Sequence, residues 1–284
     1  MYDYQTGYHA HNKYELSVPQ AVFQLLVLPS DGGRQQLLDY NLKANVPHEW
    51  WTGYNAFGAN CILLAPKKAF TEIEIDITTH VQLQSINSFE RPFVNSEEQW
   101  NRLTDLSFRV EHGTYLAQTS LTIFQNKEIS SLPPIDKQQP MIDYIVSLKN
   151  TLYDQLQYDG GSTDAHTPAH KAWANRKGVC QDFGHVFIGW CRMLGIPARY
   201  VSGYLSQGHQ YRGDGQLHAW AECYLPEDGW VGVDASNNLL VDHHYIKIAH
   251  GRDYYDCSAM TGVLISGGKQ VSLHSVSVDM QSNQ

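Results

Sequence analysis

Cys180 follows Gly178-Val179 and opens a segment in which Phe183, Val186, Phe187, Trp190 and Leu194 recur at helical spacing. Gly195 and Pro197 end that helix, so the thiol is expected at its N-terminus. Unpaired backbone N–H groups and the positive end of the helix dipole favour a thiolate there. The thiolate is the nucleophilic form of cysteine. The same amides can hold the oxyanion of an acyl intermediate. Gln181 and Asp182 fall in the first turn. Gln181 is a candidate substrate contact, and Asp182 is read as a carboxylate that offsets the dipole.

Two strands downstream supply the other chemical groups. In His218-Ala219-Trp220-Ala221-Glu222-Cys223-Tyr224, alternate positions separate His, Trp, Glu and Tyr from Ala, Ala and Cys. The turn Pro226-Glu227-Asp228-Gly229 reverses the chain into Trp230–Asp234, a strand that ends on a carboxylate. A cysteine, a histidine and an aspartate are what nucleophilic acyl transfer requires: the thiolate attacks, the imidazole moves the proton, and the carboxylate fixes the imidazole. Trp220, together with Tyr204 on the preceding strand, is a candidate wall for a substrate groove, with core packing as the competing reading. Strict pairing about Glu227-Asp228 sets His218 three positions from facing Asp234, roughly 10 Å along a strand. Contact then needs a bulge, an irregular turn or strand shear.

GVCQDFGHVFIGWCRMLGIPARYVSGY, HAWAECYLPEDGW and VDASNN, in that order, resemble the bacterial transglutaminase-like proteins of the papain-like superfamily. GRDYYDCSAMTGV resembles their C-terminal continuation. The resemblance implies an α+β fold, with a nucleophile helix packed on an antiparallel sheet, preceded by a β-rich N-terminal domain. It implies Cys180 as nucleophile, His218 as base and Asp234 as orienter, with no metal and no organic cofactor. Ala235 stands where the family usually has proline, which bears on loop stiffness.

The elements that must position these residues divide the chain into three. Residues 1–80 read as a β-rich domain, clearest at Thr71–Thr78, where Ile73, Ile75 and Ile77 alternate with Glu72, Glu74 and Asp76. Ala21–Leu28 is a second strand candidate. Residues 81–139 form a helical and extended connection, with a capped helix start at Asn95-Ser96. Residues 140–284 form the catalytic domain, opened by a helix after Pro140 with Ile142, Ile145, Leu148 and Leu152 on one side.

Composition narrows the function. A formal net charge of -9 argues against a general nucleic-acid binder. No apolar run approaches the roughly 20 residues of a membrane span, and no signal-like segment opens the sequence, so a cytoplasmic location is expected. The five cysteines show neither a CxxC pair nor a disulfide framework. His243, His244 and His250 lack a carboxylate at a recognisable metal spacing. The expected function is a thiol enzyme that hydrolyses peptide or other amide bonds in peptide or protein substrates. Its alternatives are a protein-glutamine transglutaminase and a non-catalytic binding scaffold of the same fold.

Overall fold

Alternation along the first strand decides which way the N-terminal half faces. In β1 (Tyr2–Val18), Tyr4, Thr6, Tyr8, Ala10, Asn12 and Tyr14 are buried, while His9, His11 and Lys13 turn outward. The computed structural model describes residues 1–85, 95–124, 132–206, 211–212, 215–265 and 268–281. Parts of the connection after residue 80 and of the polar loop before His218 lie outside them. The first half also contains β2 (Gln20–Leu25), β3 (Gln35–Ala44), β4 (His48–Tyr54), β5 (Asn60–Pro66) and β6 (Phe70–Leu83). The expected Ile73/Ile75/Ile77 strand is part of β6, and those isoleucines are buried.

Helices follow: α1 (Ser96–Arg102), α2 (Leu106–Glu111), α3 (Gly113–Leu116) and α4 (Met141–Gln155). Asn95 caps α1 by accepting the Glu98 N–H at 3.2 Å, and α4 begins directly after Pro140. A short parallel pair, β7 (Gln157–Tyr158) with β8 (Lys177–Gly178), flanks α5 (Ala169–Asn175). Then come α6 (Cys180–Met193), β9 (Ala198–Leu205), β10 (His218–Leu225), β11 (Gly229–Asp234), β12 (Leu239–Leu240) and β13 (Tyr245–Gly251). A 3-10 turn at Tyr254–Cys257 leads to β14 (Met260–Ile265) and β15 (Gln270–Gln281).

Two four-stranded sheets, ordered β15-β1-β6-β3 and β14-β2-β5-β4, pack face to face, with Phe23 of one against Phe70 of the other. The last two strands thus close the N-terminal sandwich. The sequence reading runs residues 260–281 on with the catalytic segment, but β15 pairs with β1 and β14 with β2. These are long-range pairings that a local pattern does not display. The second unit is a five-stranded antiparallel sheet, β12-β11-β10-β9-β13. α6 lies on one face, against the small side chains of Ala219, Ala221 and Cys223. Trp220, Val201, Leu205 and Tyr245 pack together on the other. Among the described residues no helix is long and apolar enough to cross a membrane.

The two units are stitched together by hydrogen bonds to backbone groups. Ser30 donates to the Lys247 carbonyl at 2.8 Å, and Gln35 both donates to that carbonyl and accepts the Lys247 N–H. The Tyr204 hydroxyl donates to the Val27 carbonyl at 2.7 Å.

Candidate active site

Cys180 is the first residue of α6 and is half-buried; the other four cysteines are buried, and all five are free. Asp182 builds the entry to this helix. Its carboxylate accepts the Val179 N–H at 2.8 Å and the Thr163 hydroxyl at 2.6 Å, tying the chain on both sides of Cys180. A side chain at Gly178 would meet Asp182 Cβ at 2.6 Å, so glycine is required for this approach. Burial raises the Asp182 pKa.

His218 begins β10, and its Nε2 lies 2.7 Å from Asp234 Oδ2. Both residues are 1% exposed. The offset between them is closed without a bulge. The turn pairs Leu225 with Gly229, and the ladder runs in register to Ala221 opposite Val233. Glu227 and Gly229 both carry positive φ, 71° and 76°. This turn places Asp234 two positions from directly opposing His218, on the same face, within the diagonal reach of neighbouring strands.

Asp234 is surrounded by donors. Its Oδ2 also accepts Asn237 Nδ2 at 2.8 Å and the Tyr245 hydroxyl at 2.9 Å. Its Oδ1 accepts the Ser236 hydroxyl at 2.7 Å and the N–H groups of Ser236 and Asn237. Burial alone would raise this carboxyl; the His218 charge and these hydrogen bonds outweigh burial and hold it well below the usual carboxylate range. Burial likewise opposes charge on His218, but Asp234 and Cys180 overcome it and push the imidazole up to about 10. Burial, with Asp234 adding to it, raises the Tyr245 pKa strongly, which keeps its O–H a donor.

With Nε2 committed to Asp234, His218 Nδ1 is buried without an ordinary hydrogen bond, while Cys180 is near enough to act on the ring. An imidazole held in this way can exchange a proton at Nδ1 with a group at the Cys180 side. A cavity of about 460 Å³ opens there, lined by Cys180, Gln181, His218, Tyr158, Tyr200 and Ser202, and by Met260, His274 and Val276 from the last two strands. The Tyr158 hydroxyl lies against the Cys180 backbone N–H; burial pushes its pKa up to about 12, so it keeps its proton.

The sequence-predicted residues divide. Cys180, His218 and Gln181 line the cavity, with Asp234 behind the histidine; Gln181 also donates to the Asp164 carbonyl at 2.9 Å. Trp220 and Tyr204 do not line it. They are 2% and 0% exposed and pack, respectively, on the face of the sheet away from α6 and against the sandwich. Strand alternation put Trp220 on the face of His218, and the two rings stack with centroids 6.4 Å apart, but His218 reaches the cavity because it is the first residue of β10, whereas Trp220, two residues further in, is covered by Tyr245. Tyr158, Tyr245, Ser236 and Asn237 were not singled out from the sequence. Only VDASNN carried a signal, since Ser and Asn just after an Asp are natural turn donors to its carboxylate.

Among the described residues, two groups bring three potential metal-ligand atoms together: Asp242 with His243 and His244, and His11 with Glu72 and Glu74. His250 does not join the first; its ring packs near Phe57 and Tyr115.

Residues 132–235 match the family model described as the Transglutaminase-like superfamily. An uncharacterized protein of Mycobacterium tuberculosis is 33% identical over 157 residues, covering 52% of this chain and 50% of that protein. The chain thus spans about half the length of this curated relative. An uncharacterized protein of Mycobacterium leprae is 29% identical over 226 residues, covering 77% of this chain and 75% of its own. Among solved structures, a "Putative Cysteine Protease" from Cytophaga hutchinsonii superposes with a TM-score of 0.73 at 19% identity, covering 100% of this chain and 92% of that one.

Proposed function

We propose that this chain, whose core is transglutaminase-like, is a thiol enzyme that cleaves peptide or other amide bonds through a thioester on Cys180. The observation that carries this reading is the His218–Asp234 pair buried beside the cysteine that opens α6, with His218 Nδ1 left for the thiol. Cys180 attacks the carbonyl carbon, and His218 gives its proton to the leaving amine. Water then attacks the thioester, with His218 taking up the water proton, and the acid leaves. Asp234 holds the imidazole by Nε2 and stabilises its charged form. The amides at the start of α6 and the Tyr158 hydroxyl supply the oxyanion donors.

Water is favoured over an amine as acceptor because a thioester that water can reach hydrolyses unless an amine competes; protein cross-linking is the alternative outcome of the same thioester. A cytoplasmic location belongs to this proposal, as a reducing compartment keeps Cys180 available. The test is incubation with a reduced, unfolded protein plus a labelled primary amine, analysed by mass spectrometry. Cleaved peptides, absent with Cys180→Ala, are expected. Amine incorporation faster than cleavage would assign the cross-linking reaction, and activity retained by Cys180→Ala would remove the nucleophile.

A further inference from the structure

The cavity beside Cys180 continues toward the end of the sandwich. A second space of about 100 Å³ shares Met260 and His274 with it, and is lined by Gly262 and Leu264 of β14 and by Gln270 and Ser272 of β15. β14 and β15 are the outer strands of their sheets. Two backbone bonds fix which groups face out. Glu15 donates to the Lys269 carbonyl at 2.9 Å, so odd-numbered residues of β15 bond β1. Val276 donates away from the sheet, to the Gly215 carbonyl at 3.4 Å, so even-numbered residues turn outward. By the same alternation Leu26, which donates to Ala259 at 2.8 Å, leaves Met260, Gly262 and Leu264 turned outward on β14.

Ser272 and His274 therefore present backbone N–H and C=O groups along the wall that leads away from Cys180. Residues 270–275 are exposed, and between Gln270 and Gln281 β15 has no Pro and no Lys, two residues that often blunt an outer strand. Such an edge is a template for another extended chain.

We propose that substrates bind as an extended polypeptide segment added as a strand to the outer edge of β15, with the scissile bond delivered to Cys180. This rests on the reaction proposed above and names its substrate class: unfolded or extended protein segments rather than compact ligands. Affinity comes from main-chain hydrogen bonds at Ser272 and His274, so recognition is tolerant of side-chain sequence. The N-terminal sandwich is thereby part of the substrate site, since it holds β15 in place.

The test uses the full chain carrying Cys180→Ala, so that binding is read without turnover. Fluorescein-labelled lysozyme is the probe, either native or reduced and carboxymethylated, and anisotropy gives the affinity. The unfolded form is expected to bind about tenfold or more tighter than the native one. Ser272→Pro removes an N–H that faces away from β1, so it spares the sheet pairing and should weaken that binding about tenfold, with the circular dichroism unchanged. A second measurement does not depend on that variant. Peptides from the bound protein are N-methylated at alternate amides, in either phase. One phase should abolish binding and the other should leave it. Equal binding of native and unfolded lysozyme, or equal tolerance of both methylation phases, overturns the proposal. Binding as described by a protein whose wild type cleaves and cross-links nothing would instead sink the reaction while the strand site stands.

Discussion

His9 and Asp76 meet at 2.8 Å on the outer face of the sandwich, and His218 and Asp234 meet at 2.7 Å inside the second unit. The residue types and the distances are nearly the same. Side-chain exposure is not: 41% and 58% for the first pair, 0% and 1% for the second. On the outer face, water and salt screen the pair, and each group can be solvated alone. In the interior, either charge without the other would face a large desolvation cost. The five further hydrogen bonds on Asp234, from Ser236, Asn237 and Tyr245, fix the carboxylate and through it the imidazole. What separates a solvated surface pair from a buried, oriented one is therefore the surroundings, which the chain builds from a turn, a third strand and β13.

The most severe way to probe that difference is to neutralise each carboxylate. Asp234→Asn keeps the shape but sets an amide against the donors that face it. It should lower turnover by about 10²–10⁴ and destabilise the fold by roughly 3–5 kcal/mol, the order seen when one partner of a buried pair is removed. Asp76→Asn should leave turnover unchanged and cost no more than about 0.5 kcal/mol. Urea unfolding midpoints and cleavage rates read both. Similar losses from the two variants would erase the distinction.

A smaller effect is expected from Tyr158→Phe. It removes one donor near the Cys180 N–H and keeps the ring in place. Turnover should fall about 10²-fold or somewhat less, since a neighbouring donor partly compensates. Alkylation of Cys180 should change little, because alkylation forms no oxyanion. If alkylation slowed in proportion, Tyr158 would be acting on the thiol.

The third effect is on the pH dependence of stability. His218 has its pKa raised from about 6.5 unfolded to about 10 folded. Between these values the folded chain holds a proton that the unfolded chain has released. The stabilisation is complete below about 6.5 and is lost as pH rises toward 10. Asp234 has the opposite sign: its contribution is present above about 3.9 and is lost as pH falls through its lower folded value. Thermal melts from pH 6 to 10 should show a decline for the wild type that is much shallower in His218→Ala. Parallel declines would place the titrating group elsewhere.

The helix that opens on Cys180 and the two strands bearing His218 and Asp234 were legible because each is a local pattern with a marked start or stop. The seventeen-residue β1 was not, although it alternates. Its inward residues include Thr6 and Asn12, and the Thr6 hydroxyl is satisfied by that of Thr79, 73 positions away at 2.7 Å. A buried polar group that finds its partner through the fold does not look apolar in the sequence. The pairing of β15 with β1 was illegible for the same reason of distance, and it is what brings His274 and Val276 into the cavity.

The central claim is that Cys180 and His218 act as one unit, and iodoacetamide alkylation followed residue by residue by mass spectrometry tests it most directly. At pH 6.5, Cys180 should be modified in preference to the four buried cysteines, and His218→Ala should slow its modification by about tenfold or more, since the imidazole beside the thiol is gone. An unchanged rate at Cys180 in His218→Ala, in a variant that keeps the wild-type circular dichroism, would contradict it.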